Sequence, residues 1–202
     1  MGKAFSVEER DDILARLREI GLRLYAQKGV RGISVREVTA QAGIAQGGFY
    51  SFYRDKEDFL FDLLDWRVQQ KLSAMRADLS KSLSDPMNYL IDGFVREGLR
   101  LTHNLVFDQK ISGTLELFDR MDASARERIL GHYERHFEIL FDFWRAQGLL
   151  VSANVPLLRA LLLSAGVLIV NASRIGEYFP AIYRAHCEGG IRSAVLIERL
   201  KV

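Results

Sequence analysis

Apolar residues recur three, four or seven apart through most of the chain. In the first segment Ile13, Leu14, Leu17, Ile20, Leu24 and Tyr25 make one stripe, the spacing of a helix that buries one face. Ser6 followed by Glu9 is a capping-box pair at its start, and Gly29 can take the left-handed conformation that ends a helix. This predicts a first helix over 7–28. Ser34 and Glu37 repeat the capping-box spacing, Val35, Val38 and Ala42 form an apolar side, and Gly43 stops the second helix. A short apolar and aromatic segment over 45–53 follows, with its helical part over 45–52. Asp55 then caps a long helix carrying Phe59, Leu63, Trp66 and Val68. A helix of about eight residues, a glycine-containing turn of about three, and another short helix is the spacing of a helix-turn-helix.

Helical patterning continues with short connections. Asp85-Pro86 opens a helix reaching Thr102, and others are predicted over 108–118 and 123–147. Pro156 opens a nearly uniformly apolar helix to Ile175, and Pro180 opens the last, which includes Tyr183, Cys187, Ile191, Val195 and Leu200. No alternating strand pattern and no internal repeat is evident. The expected fold is all-α: an N-terminal three-helix domain with the helix-turn-helix over 1–55, and a larger helical domain over 56–202.

Composition narrows the function classes. With 202 residues, 49% hydrophobic and 27% charged, the chain is globular rather than disordered. Its single cysteine, Cys187, excludes an internal disulfide and fits a reducing compartment, where it reads as a small packing residue. The stretch Ala160 to Val170, bracketed by Arg159 and Asn171, is far shorter than the roughly 20 apolar residues that span a bilayer. A cytoplasmic protein that does not enter a membrane is expected. His132 and His136 stand one helical turn apart but lack a third ligand and the zinc-protease order. No nucleophile-elbow or phosphate-loop pattern occurs either, so neither an enzyme, a cofactor nor a metal is expected.

The net charge of +2 says little, but its distribution says more. Through Lys56 there are 10 basic and 7 acidic residues. Lys28, Arg31, Arg36, Arg54 and Lys56 are opposed over 28–56 only by Glu37 and Asp55. A local basic surface at one end of a neutral chain favours a polyanionic partner there.

Gly29, Ile33, Ser34, Val35, Val38, Ala42-Gly43-Ile44, Gly47, Tyr50, Lys56 and Phe59 resemble, in order and spacing, the DNA-binding domain of TetR-family transcription regulators. The resemblance covers 13–64; beyond it only length and helical layout match. It implies a dimeric regulator, a repressor binding a palindromic double-stranded DNA operator and released by a small, largely apolar effector of unknown identity. It also implies that the positions of Ser34, Tyr50 and Lys56 contact the DNA backbone. Physically, Ala42 lets two helices approach, Gly43 supplies a positive φ and Ile44 plugs the small core. Ser34 and the first amides of the second helix suit phosphate, as do Arg36 and Arg54. Gln46, Gly48 and Ser51 are the expected groove-facing positions, Gln46 as a bidentate partner for adenine. Gly47 permits close approach to DNA or to a neighbouring helix. Phe49 and Phe59 read as domain core.

The second helix of the motif departs from the family pattern: Ala45 stands where a Ser or Thr cap is expected, and Gly48 adds a second glycine. It is expected to be soft when free. A helical carrier or adaptor that has lost DNA binding is the alternative reading. For dimerisation, Ala160, Ser164, Ala165, Leu168, Ile191 and Val195 are the expected contacts, on the apolar helix and the last one. For effector binding, Phe94, Leu101, Phe107, Phe118, Phe137, Phe141 and Trp144 would supply apolar lining and His103, His136 and Asn171 polar contacts.

Overall fold

The computed structural model describes residues 6–105, 117 and 120–198. The helices are α1 (Val7–Gly32), α2 (Val35–Ala42), α3 (Gln46–Phe49), α4 (Lys56–Arg76), α5 (Pro86–Leu105), α6 (Ala123–Ala146), α7 (Val155–Val170), α8 (Ala172–Ile175) and α9 (Phe179–Ala194). Short 3-10 turns lie at Leu79–Ser82 and Gly176–Tyr178. The fold is all-α, with the helix-turn-helix at its N-terminal end and a larger helical part following.

Two compact units divide it. The first takes Met1–Val68 with Gln109–Arg126, and the second takes Gln69–Asp108 with Glu127–Val202. The head thus extends past residue 55, the boundary expected from the sequence, because Phe59, Leu60, Leu63 and Leu64 of α4 are buried in its core. Gly21 makes this possible: a Cβ there would stand 2.6 Å from both Phe59 and Leu63, so α1 and α4 approach closely only where α1 has no side chain.

The helix boundaries follow their caps. Ser6 and Glu9 complete a reciprocal capping box on α1, and Gly29 breaks its helical geometry with φ 68°, one residue beyond the expected end. Asp55 accepts from the Asp58 amide at 2.8 Å, Asp85 from Asn88 at 3.0 Å and Asp122 from Ala125 at 2.7 Å, so each starts the next helix. Asn154 does the same for α7, accepting from Leu157 at 3.0 Å.

In the second unit α9 packs on α7 and α5. The core includes Ile91, Val95, Leu140, Phe141, Trp144, Leu158, Cys187 and Ile191. The buried Trp144 indole donates to Ser82 Oγ at 2.7 Å, and Ser82 donates to Leu79 O at 2.6 Å, so both polar groups are satisfied. Two expectations are corrected here. The apolar helix does not run through to Ile175 but ends at Val170, with α8 starting afresh after Asn171. The last helix ends at Ala194, and Val195 belongs to a strand. That strand, β2 (Val195–Ile197), pairs antiparallel with β1 (Leu150–Ala153), with an irregularity between Leu150 and Ser152. Strands this short have no room to display alternation, and their pairing joins residues far apart in sequence. No single helix among the described residues is long and apolar enough to cross a membrane.

Candidate nucleic-acid interface

The helix-turn-helix is built around one inward aromatic. Gly43, at φ 72°, turns the chain in the left-handed conformation, its N–H reaching back towards Ala40 and Ile44 donating to Thr39 O at 3.1 Å. Ala42 is buried beneath the turn, while Ile44 is only half-buried. Phe49 is fully buried, its ring 5.3 Å from Tyr53 and 5.4 Å from Phe59 between centroids. This cluster is the domain core read from the sequence, and it fixes which side of α3 faces out.

With Phe49 inward, Gln46, Gly47, Tyr50 and Ser51 are exposed, Tyr50 to 54% of its surface, and Gly48 is half-buried. Ser34, Arg36 and Arg54 are exposed as well, and Lys56 is half-buried at the first position of α4. All of these sites lie in the head unit. Ser34 Oγ accepts from the Glu37 amide at 3.2 Å, which leaves its own proton available to an outside acceptor. The Glu37 carboxylate turns to Lys28, 2.6 Å away, so this capping box is only half made. Arg54 leans on Asp58 at 3.4 Å, a hydrogen bond that raises its already high pKa. Among the described residues Arg36 and Lys56 have no acidic partner.

The helix α3 is shorter than the expected 45–52. Ala45 makes no side-chain cap, and only Gln46–Phe49 are helical. The continuation is tight, with Ser51 donating to Gly48 O at 3.2 Å and Phe52 to Phe49 O at 3.0 Å, each three residues back. A Cβ on Gly47 would meet nothing within 4 Å, so no neighbouring helix of the chain requires that glycine.

Three positioning contacts had no local signal in the sequence. Arg10 of α1 donates to Ser51 O at 3.0 Å and lies over the Phe52 ring at 4.6 Å, tying down the end of the motif. Arg18 donates to both oxygens of Asp62, and the Tyr53 hydroxyl donates to Asp62 Oδ2 at 2.7 Å. Burial, then the hydrogen bond to Asp62, push the Tyr53 phenol far above its ordinary range, so it stays a donor. These residues stand 41, 44 and 9 positions apart, beyond any periodic pattern for the first two.

The expected effector residues separate into groups. Phe137, Phe141 and Trp144 are buried and in ring contact, with centroids 6.2 Å apart for Phe137–Phe141 and 5.6 Å for Phe141–Trp144. Half-buried Phe94 stacks on Phe137 at 5.8 Å. Asn171 donates to Val167 O at 2.9 Å at the end of α7. Phe107 and Phe118 lie outside the described residues, as do the side chains of Leu101 and His103. His136 is buried with Nδ1 unpartnered, and burial, then the charges of Arg76 and Lys71, lower its pKa to about 4. Among the described residues no group of three or more His, Cys, Asp or Glu is arranged to hold a metal.

The expected dimer residues divide too. Ala160 is exposed and Ser164 and Leu168 are half-buried, whereas Ala165, Ile191 and Val195 lie in the chain's own core. The apolar surface that α7 leaves open consists of Leu157, Leu163, Val167 and Val170, with Ile182 of α9 also exposed.

Comparison with known proteins places this geometry. Residues 17–63 match the family model of bacterial regulatory proteins, tetR family. The HTH-type transcriptional repressor KstR2 of Mycolicibacterium smegmatis is 32% identical over 79 residues, 36% of this chain and 37% of that protein. An uncharacterised HTH-type regulator of Bacillus subtilis, YerO, is 26% identical over 61 residues, 30% of this chain and 21% of its own length. The chain thus spans less than half the length of these curated relatives. Among solved structures, RolR in complex with the ligand resorcinol is similar over 94% of this chain and 90% of its own, at TM-score 0.66 and 17% identity. A TetR transcriptional regulator from Rhodococcus sp. RHA1 is similar over 90% and 97%, at TM-score 0.63 and 17% identity. At that identity the likeness is one of fold. The head thus matches the tetR family model over residues 17–63, and the chain shares its fold with solved regulators of that kind.

Proposed function

We propose that the chain is a ligand-responsive transcriptional repressor that binds a palindromic DNA operator as a homodimer. The observation that carries this reading is the exposure of Ser34, Arg36, Gln46, Gly47, Tyr50, Ser51 and Arg54, with half-buried Lys56, in a head whose core is filled by Phe49. In this reading Ser34, Arg36, Tyr50, Arg54 and Lys56 grip phosphates, and Gln46, helped by Ser51, reads base edges. The glycines at 47 and 48 admit the sugar-phosphate backbone or a groove wall where a side chain would collide. The match of residues 17–63 to the tetR family model supports a regulator rather than an enzyme.

One short motif gives too little contact for specific binding, so two heads act together, about 34–36 Å apart on successive turns of DNA. The exposed stripe of α7, with Ala160, Leu163 and Val167 at helical spacing beside half-buried Ser164, supports pairing through α7 and α9. The effector acts by favouring one of two arrangements of the heads, which requires different affinity for each. KstR2 is named a repressor, and RolR was solved with a small aromatic ligand; both fit this logic.

Selection of bound sequences from random duplex DNA tests the reading. A palindromic consensus with half-sites about one helical turn apart is expected. A pool that stays random would favour the carrier reading, for which the short, uncapped α3 is the supporting observation.

A further inference from the structure

A cleft of about 480 Å³ opens in the second unit between the last two turns of α4 and the middle of α6. It lies within the roughly 300–1,000 Å³ range of small-molecule sites. It is distinct from the buried aromatic cluster of Phe137, Phe141 and Trp144, none of which lines it. Arg76, Arg135 and His132 converge on it, Ser73 and two glutamines add hydrogen-bonding groups, and Leu72 and Ile139 give it an apolar wall. None of its lining residues is acidic.

Several other cations of the same unit are paired with acids. Lys71 pairs with Glu97 at 2.8 Å, Arg159 with Glu127 at 2.6 Å, Arg184 with Asp92 at 3.1 Å and Arg192 with Glu188 at 2.9 Å. Among the described residues Arg76 and Arg135 have no such partner. Next to the cleft, buried His136, whose Nδ1 has no hydrogen-bond partner, is held neutral by burial first and then by the positive charges of Arg76 and Lys71. The cleft therefore presents Arg76 and Arg135 with no acid in its lining, facing a concavity with an apolar side.

We propose that this cleft binds a small organic oxyanion, a carboxylate or phosphate head on an apolar body, with Arg76 and Arg135 on the head and Leu72 and Ile139 against the body. Planar guanidiniums match both heads, because their paired N–H groups reach two oxygens at once. The site stands independently of the DNA-binding reading, and its test uses no DNA.

Calorimetric titration of the full chain with hexanoate, hexyl phosphate and neutral hexanamide tests it. At least one of the two anions saturates a single site, and hexanamide binds at least tenfold more weakly. The tighter anion identifies the head group. Replacing both arginines (Arg76→Gln with Arg135→Gln) weakens the anion at least tenfold, while Arg145→Gln, outside the cleft, leaves it unchanged. The proposal is overturned if neither anion saturates, if hexanamide binds as tightly as the tighter anion, or if the double variant binds that anion like the parent. The hexanamide comparison needs no variant, so it stands whatever the substitutions do to folding.

Discussion

Arg18 and Asp62 meet side by side, with Nε 2.9 Å from one carboxylate oxygen and Nη2 2.6 Å from the other, and Tyr53 donates to the same carboxylate at 2.7 Å. One acid thereby joins α1, α4 and the residue that follows the helix-turn-helix. Asp62→Ala leaves a partly buried guanidinium and a buried phenol without their acceptor. It is expected to lower stability by about 1–3 kcal/mol, with Asp62→Asn losing less. Urea unfolding followed by circular dichroism measures both; parental stability in Asp62→Ala would remove this joint from the account.

Gly47 separates stability from binding. Since a Cβ there meets nothing within 4 Å, Gly47→Ala should leave the free protein as stable or up to about 1 kcal/mol more stable. Operator affinity should fall, because the methyl group projects into the surface that approaches DNA. Thermal unfolding and fluorescence anisotropy on one preparation check the pair of outcomes. Equal affinity with raised stability would mean that Gly47 does not face DNA.

His136 gives stability a definite pH dependence. Its folded-state pKa, about 4, lies below the ordinary value of 6.5, so between those values the unfolded chain binds more protons. Stability is therefore full above the ordinary value and is lost as pH falls towards the lowered one. From pH 7 to pH 5 this residue alone should cost about 2 kcal/mol. His136→Leu should flatten the curve by that amount in urea titrations at the two pH values.

Val167 is the most exposed large apolar residue of α7, at 63%. Placed at the proposed twofold contact, Val167→Arg buries a charge against its symmetry mate and should shift the dimer to monomer at micromolar concentration. Light scattering reads the mass directly. A variant that remains dimeric would move the interface elsewhere.

The head was legible in the sequence because its signals are local. Ser34, Gly43 and the apolar positions Val38, Ala42 and Phe49 each act within a few residues, and each occupies the role its type dictates. The length of α3 was less legible. Ala45 and the glycines at 47 and 48 announced weakness, but the end of the helix at Phe49 depends on how the rings of Phe49, Tyr53 and Phe59 pack. Contacts between distant segments left no trace: Arg10 with Ser51, Arg18 with Asp62, and β1 with β2. On α7 the periodicity identified an apolar helix without telling its two sides apart. Ala165 is buried while Ala160 is exposed, on a helix that packs against α9, α5 and α8.

The most direct test of the central claim is operator binding by fluorescence anisotropy across a salt series, for the parent, Lys56→Ala and Gln46→Ala. With Lys56 on a phosphate, its removal should weaken every duplex alike and flatten the salt slope by about one unit. With Gln46 on a base edge, its removal should change sequence preference, by about 1–3 kcal/mol at the position read. Unchanged affinity, slope and preference in both variants would contradict the assignment of this surface to DNA.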